Sequence, residues 1–270
     1  MTSELEILTN QYKNLSKNYL DLERLNLYLI SHHSTAIEGS TLTALETEIF
    51  LEKGLTAKGK PLEHHLMVKD HYEALRFVLE AAKEKKNFNT ALVQSINAHV
   101  MHSTGTIHHT PLGNFDASKG DLRLLNVRAG ISGESYMNYD KVPVYLKNLC
   151  EDLNKKINTV RTIEEINELA FVAHYQLVTI HPFVDGNGRT SRLLMNYIQS
   201  YHEVPLTIVF EEDRQDYIES LIATRKEENI EYFLDFMKSQ HIKFLKEEIK
   251  KLENIKEPKP KINRNIRLVF

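Results

Sequence analysis

One stretch of the chain concentrates side chains that could do chemistry together: His181-Pro182-Phe183-Val184-Asp185-Gly186-Asn187-Gly188-Arg189-Thr190-Ser191-Arg192. His181 brings an imidazole with an ordinary pKa of about 6.5, the natural general base near neutral pH. Asp185 brings a carboxylate able to hold Mg²⁺ (or Mn²⁺) against bound phosphates. Gly186 and Gly188 allow positive φ and close backbone approach, and successive N–H groups at a helix start form a nest for an anion. Arg189 and Arg192, three apart on the first turns of that helix, face one side and can fork onto one anion. A base, a metal ligand, an anion cradle and two cations are the parts of phosphoryl or nucleotidyl transfer. Each part alone has an ordinary structural explanation. Their concurrence in one short stretch is what points to that chemistry.

The elements that must position these residues read mostly as helix. Pro182 restricts His181 and ends one helix near Ile180, and the next begins near Gly188 or Arg189. Apolar periodicity predicts helices over Thr43–Glu52, Leu62–Lys85, Thr90–Met101, Val142–Lys156, Ile163–Ile180, Arg189–Tyr201, Asp213–Arg225 and Ile230–Leu252. Thr43 with Glu46 is a capping-box pattern. Leu5, Leu8, Tyr12, Leu15, Tyr19, Leu22, Asn26 and Leu29 form a heptad seam, read as one long helix that packs on its own domain or on a second copy. From Ile107 to Tyr139 the chain is rich in Gly, Ser and Asn and reads as loops, with a hairpin near Val127–Tyr136. Lys256-Glu257-Pro258-Lys259-Pro260-Lys261 reads as a linker. The fold class is mainly α. We divide the chain into an N-terminal helical region (1–87), a catalytic domain (88–240) and a C-terminal helical extension and tail (241–270).

Composition bounds the rest. A chain of 270 residues with 41% hydrophobic residues can bury a real core. A net charge of -3 argues for neither nucleic acid nor membrane as partner. The single cysteine, Cys150, lies in an apolar-patterned run and is expected in the core. The N-terminus shows no signal-peptide pattern and no stretch approaches the ~20 apolar residues of a bilayer span, so a cytoplasmic location is expected. His64, His65 and His71, and His102, His108 and His109, cluster in sequence without a metal-ligand spacing around them.

Residues 181–192 resemble the signature of Fic proteins, His-x-Phe-x-Asp/Glu-Gly-Asn-Gly-Arg-x-x-Arg, at every specified position. The resemblance implies a Fic-type helical bundle with a small β-hairpin flap beside the active site. It implies transfer of AMP from ATP to a Ser, Thr or Tyr hydroxyl of a target protein, and of the enzyme itself. His181 would deprotonate the hydroxyl, Asp185 bind Mg²⁺, and Gly186, Asn187 and Gly188 hold the α- and β-phosphates. Arg189 would meet the β-phosphate and Arg192 the γ-phosphate, with Phe183 as a buried anchor and His174 as a supporting core histidine. Asp213–Leu221 resembles a family helix whose Tyr217 would border the adenine, with Ser220 in place of the usual Ala. The flap is placed at Val127–Tyr139, with Ile131, Ser132 and Gly133 at its tip, where a target segment would add as a strand.

Ser34-Thr35-Ala36-Ile37-Glu38-Gly39 resembles the family's inhibitory signature. Its position before the catalytic motif implies the class with an N-terminal inhibitory helix, in which Glu38 pairs with Arg192 and blocks the γ-phosphate site. The resemblance leaves a de-adenylylase using the same site, or a nucleotide-binding regulator or toxin component, as alternative readings. Family habit and the heptad seam leave a homodimer open.

Overall fold

Thr43 and Thr162 each open a helix in the same way. The threonine hydroxyl accepts the N–H three residues on, and the Glu46 or Glu165 carboxylate returns to the cap's own N–H. The structure, a computed structural model, describes residues 3–17, 19, 22–128, 133 and 135–256. Among the described residues ten α-helices run in chain order: α1 Glu4–Ser16, α2 Leu22–Ala36, α3 Ala44–Lys53, α4 Leu62–Lys83, α5 Thr90–Val100, α6 Val142–Lys156, α7 Ile163–Ile180, α8 Asn187–Tyr201, α9 Arg214–Glu227 and α10 Glu231–Lys256. A two-stranded antiparallel sheet, β1 Ile107–Thr110 with β2 Gly113–Asp116, sits between α5 and α6. The fold is thus mainly helical with one small hairpin.

The core is organised around α8. Its Leu193, Leu194, Met195, Tyr197 and Ile198 are fully buried, and at about 1.5–3 kcal/mol per large apolar side chain they contribute on the order of 10 kcal/mol. α7 and α4 enclose α8, and Ala170 and Ala173 of α7 and Ala74 of α4, all fully buried, let the backbones approach. Cys150 is buried, as expected of a packing residue, and burial pushes its thiol up to about 12. Among the described residues no helix is long and apolar enough to cross a membrane.

Two expectations are corrected. The heptad seam runs through two helices rather than one long helix. Tyr12 of α1 accepts a 2.7 Å hydrogen bond from Asn26 of α2, fourteen positions on, which a continuous helix would hold about 21 Å away. α1 packs chiefly on α10 while α2 packs on α4 and α3. α1 ends just after Asn14 and Ser16, residues whose side chains compete with the helical backbone, and Ser16 turns its hydroxyl back to the Lys13 carbonyl. Second, regular strands form at 107–116, which reads as loop. Thr110 pairs with Gly113 (φ 123°) across Pro111-Leu112, His108 stacks on Phe115, and His109 bonds Asn114. These cross-strand pairs replace the alternating apolar pattern that would have announced a strand. At the hairpin expected near 127–136, Arg128 and Ser135 form one antiparallel bridge, and the Tyr136 N–H donates to the Val127 carbonyl. Of the expected tip, Gly133 is half-buried, while Ile131 and Ser132 lie outside the described residues, as does the linker beyond Lys256.

Candidate active site

The α7–α8 connection is short and locked. His181 ends α7 in the left-handed region (φ 51°), its N–H still bonded to the Leu177 carbonyl, and Pro182 forbids continuation. Phe183 is 1% exposed, anchoring the turn in the core. The Asn187 side chain takes the Phe183 N–H (3.0 Å) and returns a bond to the Phe183 carbonyl (2.9 Å). Its amide therefore fastens the loop, leaving the backbone to face a ligand. Gly186 caps α8 at φ 77°, where a Cβ would meet Asn97 Nδ2 at 2.8 Å and Met101 Sδ at 2.9 Å. Asn97 itself donates to the Asp185 carbonyl and to Thr190 Oγ1, fixing the start of α8 from α5.

At that helix start the N–H groups of the first turn have no intrahelical partner. Beside them lie two buried guanidinium groups. Arg192 donates from Nε to Ser34 Oγ (2.9 Å) and from Nη2 to the Ser34 carbonyl (2.8 Å) and to Glu38 Oε1 (2.6 Å). Arg189 reaches Asp185 Oδ1 at 3.3 Å and Met101 Sδ at 3.5 Å. Arg189 Nε and Nη1 and Arg192 Nη1 are buried with no partner among the described residues. Unsatisfied cationic donors in the interior are costly and imply an anion. His71 and His174 back the cradle, both fully buried, and burial followed by the Arg192 charge holds each well below the usual histidine range.

Glu38 reaches this cradle from the turn that ends α2, where Gly39 (φ 103°) closes the helix and Arg214 grips the Ile37 carbonyl at 2.7 Å. A Cβ on Gly188 would collide with Glu38 Oε1, so the carboxylate lies against the start of α8 as well as on Arg192. Burial alone would raise the Glu38 carboxyl. Arg192, with Arg189 and Arg214 behind it, holds it below the usual carboxylate range instead.

His181 stands at the rim. Its Nδ1 is 3.3 Å from the Val178 carbonyl, which can only accept, so Nδ1 carries the proton and Nε2 keeps its lone pair. Burial pushes its pKa down to about 4, with Arg123 and Arg225 adding to the effect. The Tyr136 ring stacks on the imidazole at 3.6 Å between centroids, and Arg225 lies over that tyrosine. Asp185 is largely exposed (67%), its Oδ1 accepting from Arg189 and from the Gly186 N–H, and its carboxylate stands where it could meet a cation. Tyr217, by contrast, is 3% exposed. Its hydroxyl bonds His174 Nε2 at 2.9 Å and its ring packs on Phe233 and Phe236, with Arg192 at 6.0 Å.

Sequence reasoning assigned no role to several residues here: Ser34's double hold on Arg192, Asn97, Arg214 and Arg123. Asn97 and Arg123 act through contacts distant in sequence that no local pattern marks, whereas Ser34 and Arg214 lie in stretches already singled out and only their partners, Arg192 and the Ile37 carbonyl, are beyond the reach of spacing. One grouping of metal-type ligands also escaped it, His32, His33 and Glu211. There His33 Nδ1 accepts the Glu211 N–H and His32 Nε2 faces the Glu211 carboxylate at 3.4 Å. A neutral ring that accepts at Nδ1 is protonated at Nε2, so His33 is engaged in docking the segment after α8 and has no lone pair left for a metal.

Comparison with known proteins gives concordant findings. Residues 87–199 match the model of the Fic/DOC family. The protein adenylyltransferase fic-1 of Caenorhabditis elegans is 34% identical over 199 residues, covering 72% of this chain and 36% of that protein. The chain thus spans little more than a third of that relative's length. The solved structure of Fic-1 (residues 134–508) from C. elegans superposes with a TM-score of 0.73 at 26% identity, over 93% of this chain and 72% of that one. A Fic-domain-containing signaling protein from Bacteroides thetaiotaomicron gives a TM-score of 0.79 at 24% identity, over 95% and 100% of the two chains, a likeness of fold.

Proposed function

The chain belongs to the Fic/DOC family, and on that footing we propose that it transfers AMP from ATP to a hydroxyl of a protein, with an internal brake on the reaction. The observation that carries the proposal is the set of buried donors on Arg189 and Arg192 at the start of α8 that have no partner among the described residues, beside a histidine whose Nδ1 faces the Val178 carbonyl and leaves the lone pair on Nε2. The name protein adenylyltransferase borne by the nematode relative supports the choice of AMP.

In this reading His181 Nε2 takes the proton of a target Ser, Thr or Tyr hydroxyl. The oxygen attacks the α-phosphorus, an O–P bond forms, the bond to the β-phosphate bridging oxygen breaks, and pyrophosphate leaves. With its pKa near 4, His181 is neutral at pH 7 and ready to accept. The nest of Gly186, Asn187 and Gly188 takes the α- and β-phosphates through backbone N–H groups, Arg189 the β-phosphate and Arg192 the γ-phosphate. The residues fit a Mg²⁺ ion: Asp185 would hold it, and its charge would offset that of the phosphates. Tyr217 serves the site through His174 and Arg192, since its ring is enclosed.

Glu38 is the brake. Its carboxylate sits where phosphate oxygens would go, on Arg192 and against Gly188, and so competes with the γ-phosphate. ATP then binds with its α-phosphorus out of line with the attacking oxygen. The discriminating experiment is His181→Ala in a chain that also carries Glu38→Gly: the transfer seen with Glu38→Gly alone should vanish while ATP affinity stays within about two-fold. Retained transfer would overturn the assignment of the base.

A further inference from the structure

Arg123 is 1% exposed and is the largest of the fully buried side chains, yet it makes no ion pair among the described residues. Its guanidinium is spent on carbonyl oxygens. Nε donates to His181 (2.7 Å), Nη1 to Leu125 (2.7 Å) and Nη2 to Met137 (2.5 Å), while its own backbone N–H donates to Pro182 (3.1 Å). Leu125 and Met137 are the two stems of the loop that brings Tyr136 onto the His181 ring. Asn126 adds a rung beside them, accepting the Tyr139 N–H at 3.0 Å.

Burying a cation without a carboxylate is expensive. Ammonium cannot replace it here, because only a planar fork reaches three carbonyls set at fixed angles. The expense falls at a revealing place. His181 holds a left-handed backbone conformation that a non-glycine residue adopts at a cost, and Arg123 fixes its carbonyl and that of Pro182. One side chain therefore sets the peptide planes of the base and closes the loop that covers the base.

We propose that Arg123 is a positioning residue that couples the 125–137 loop stems to His181, so that the imidazole and the Tyr136 ring stacked on it are held as one unit. This rests on the reading of His181 as the base. It predicts that loosening the clamp lowers turnover of the target without weakening the nucleotide cradle, which Arg123 does not touch.

The test uses the full chain with the Glu38→Gly change, so that transfer is measurable. Arg123→Gln should lower kcat/KM for target hydroxyls by about 100-fold, the cost of a misplaced base of about 1 Å, with ATP affinity within two-fold. Arg123→Lys, the milder change, should fall between. Tyr136→Leu breaks the same coupling from the loop side, so combining it with Arg123→Lys should cost less than the product of the two single effects. Two measurements do not depend on any transfer activity. Trypsin should cut after Arg128 faster in Arg123→Gln and Arg123→Lys, and NMR titration should show the His181 imidazole more basic in Arg123→Gln, since a nearby positive charge is gone. If transfer proves absent in every form, faster cleavage together with the more basic His181 still upholds the clamp, and its unchanged values overturn it. Fully multiplicative effects with Tyr136→Leu, or equal loss of ATP affinity, would also overturn it.

Discussion

Consider Glu38→Ala in a chain that also carries His181→Ala, so that bound ATP is not consumed. Arg192 then keeps both bonds to Ser34, at 2.9 and 2.8 Å, and remains aimed at the cradle with Nη1 and part of Nη2 unclaimed. What disappears is the 2.6 Å charge-assisted bond to Glu38. Such bonds are worth about 1.5–3 kcal/mol. Because the Glu38 side chain is 33% exposed, screening favours the lower half of that range, about 1.5–2 kcal/mol. A ligand group that previously had to displace the carboxylate gains that amount, which is about 10- to 30-fold in affinity. On the proposed function only the γ-phosphate meets Arg192, so the gain should appear for ATP and not for ADP. Isothermal titration of both nucleotides with Mg²⁺ reads it directly: a Kd ratio of ADP to ATP near one with Glu38 in place, rising to about 10–30 without it. A ratio that stays within two-fold would refute the competition between Glu38 and the γ-phosphate.

Three further outcomes follow from the same geometry. Tyr217→Phe leaves His174 Nε2 without its partner in the core, which should cost about 1–3 kcal/mol of stability and lower Tm by several degrees in a thermal melt. His33 and His241 are held neutral by burial, at about 4 and about 3 against an ordinary 6.5. The unfolded chain therefore takes up protons first as pH falls, and stability present above pH 6.5 is lost on the way down to the folded values. By pH 5 that loss is about 2 kcal/mol for each histidine, a Tm about 10 °C below that at pH 7; an unchanged Tm would refute it. The acid limb of kcat/KM should likewise lie well below pH 6.5, because His181 stays neutral to about 4, and a limb at 6.5 in a stopped assay would count against its burial.

Much of the site is legible in sequence because it is local. His181 to Arg192 lie on one turn and the first turns of one helix, so spacing alone sets which groups face together. The capping threonines are visible for the same reason. The N-terminal helices show the limit: the heptad seam marks apolar faces, but periodicity carries on across a break between two helices when both bury the same kind of stripe. The β1–β2 hairpin was hidden because its strands are short and held by His–Phe and His–Asn pairs rather than by alternation. Arg123 is invisible in principle. A lone arginine in a loop is ordinarily solvated, and its use appears only when the carbonyls of residues 58 positions away and on two loop stems converge on it. Tyr217, expected from the resemblance to border a purine, is buried with its ring tilted beside Phe233 and Phe236, contacts that lie outside the reach of spacing.

On the proposed function this chain moves AMP and Glu38 restrains the transfer. The most direct measurement exposes the wild-type chain and Glu38→Gly to ATP labelled at the α-phosphate or at the γ-phosphate, with Mg²⁺, followed by intact mass. We expect α-label and a mass gain of one AMP on the Glu38→Gly protein, little on the wild type, and no γ-label on either. Label from the γ-phosphate, or none from either position in the released protein, would contradict adenylyl transfer.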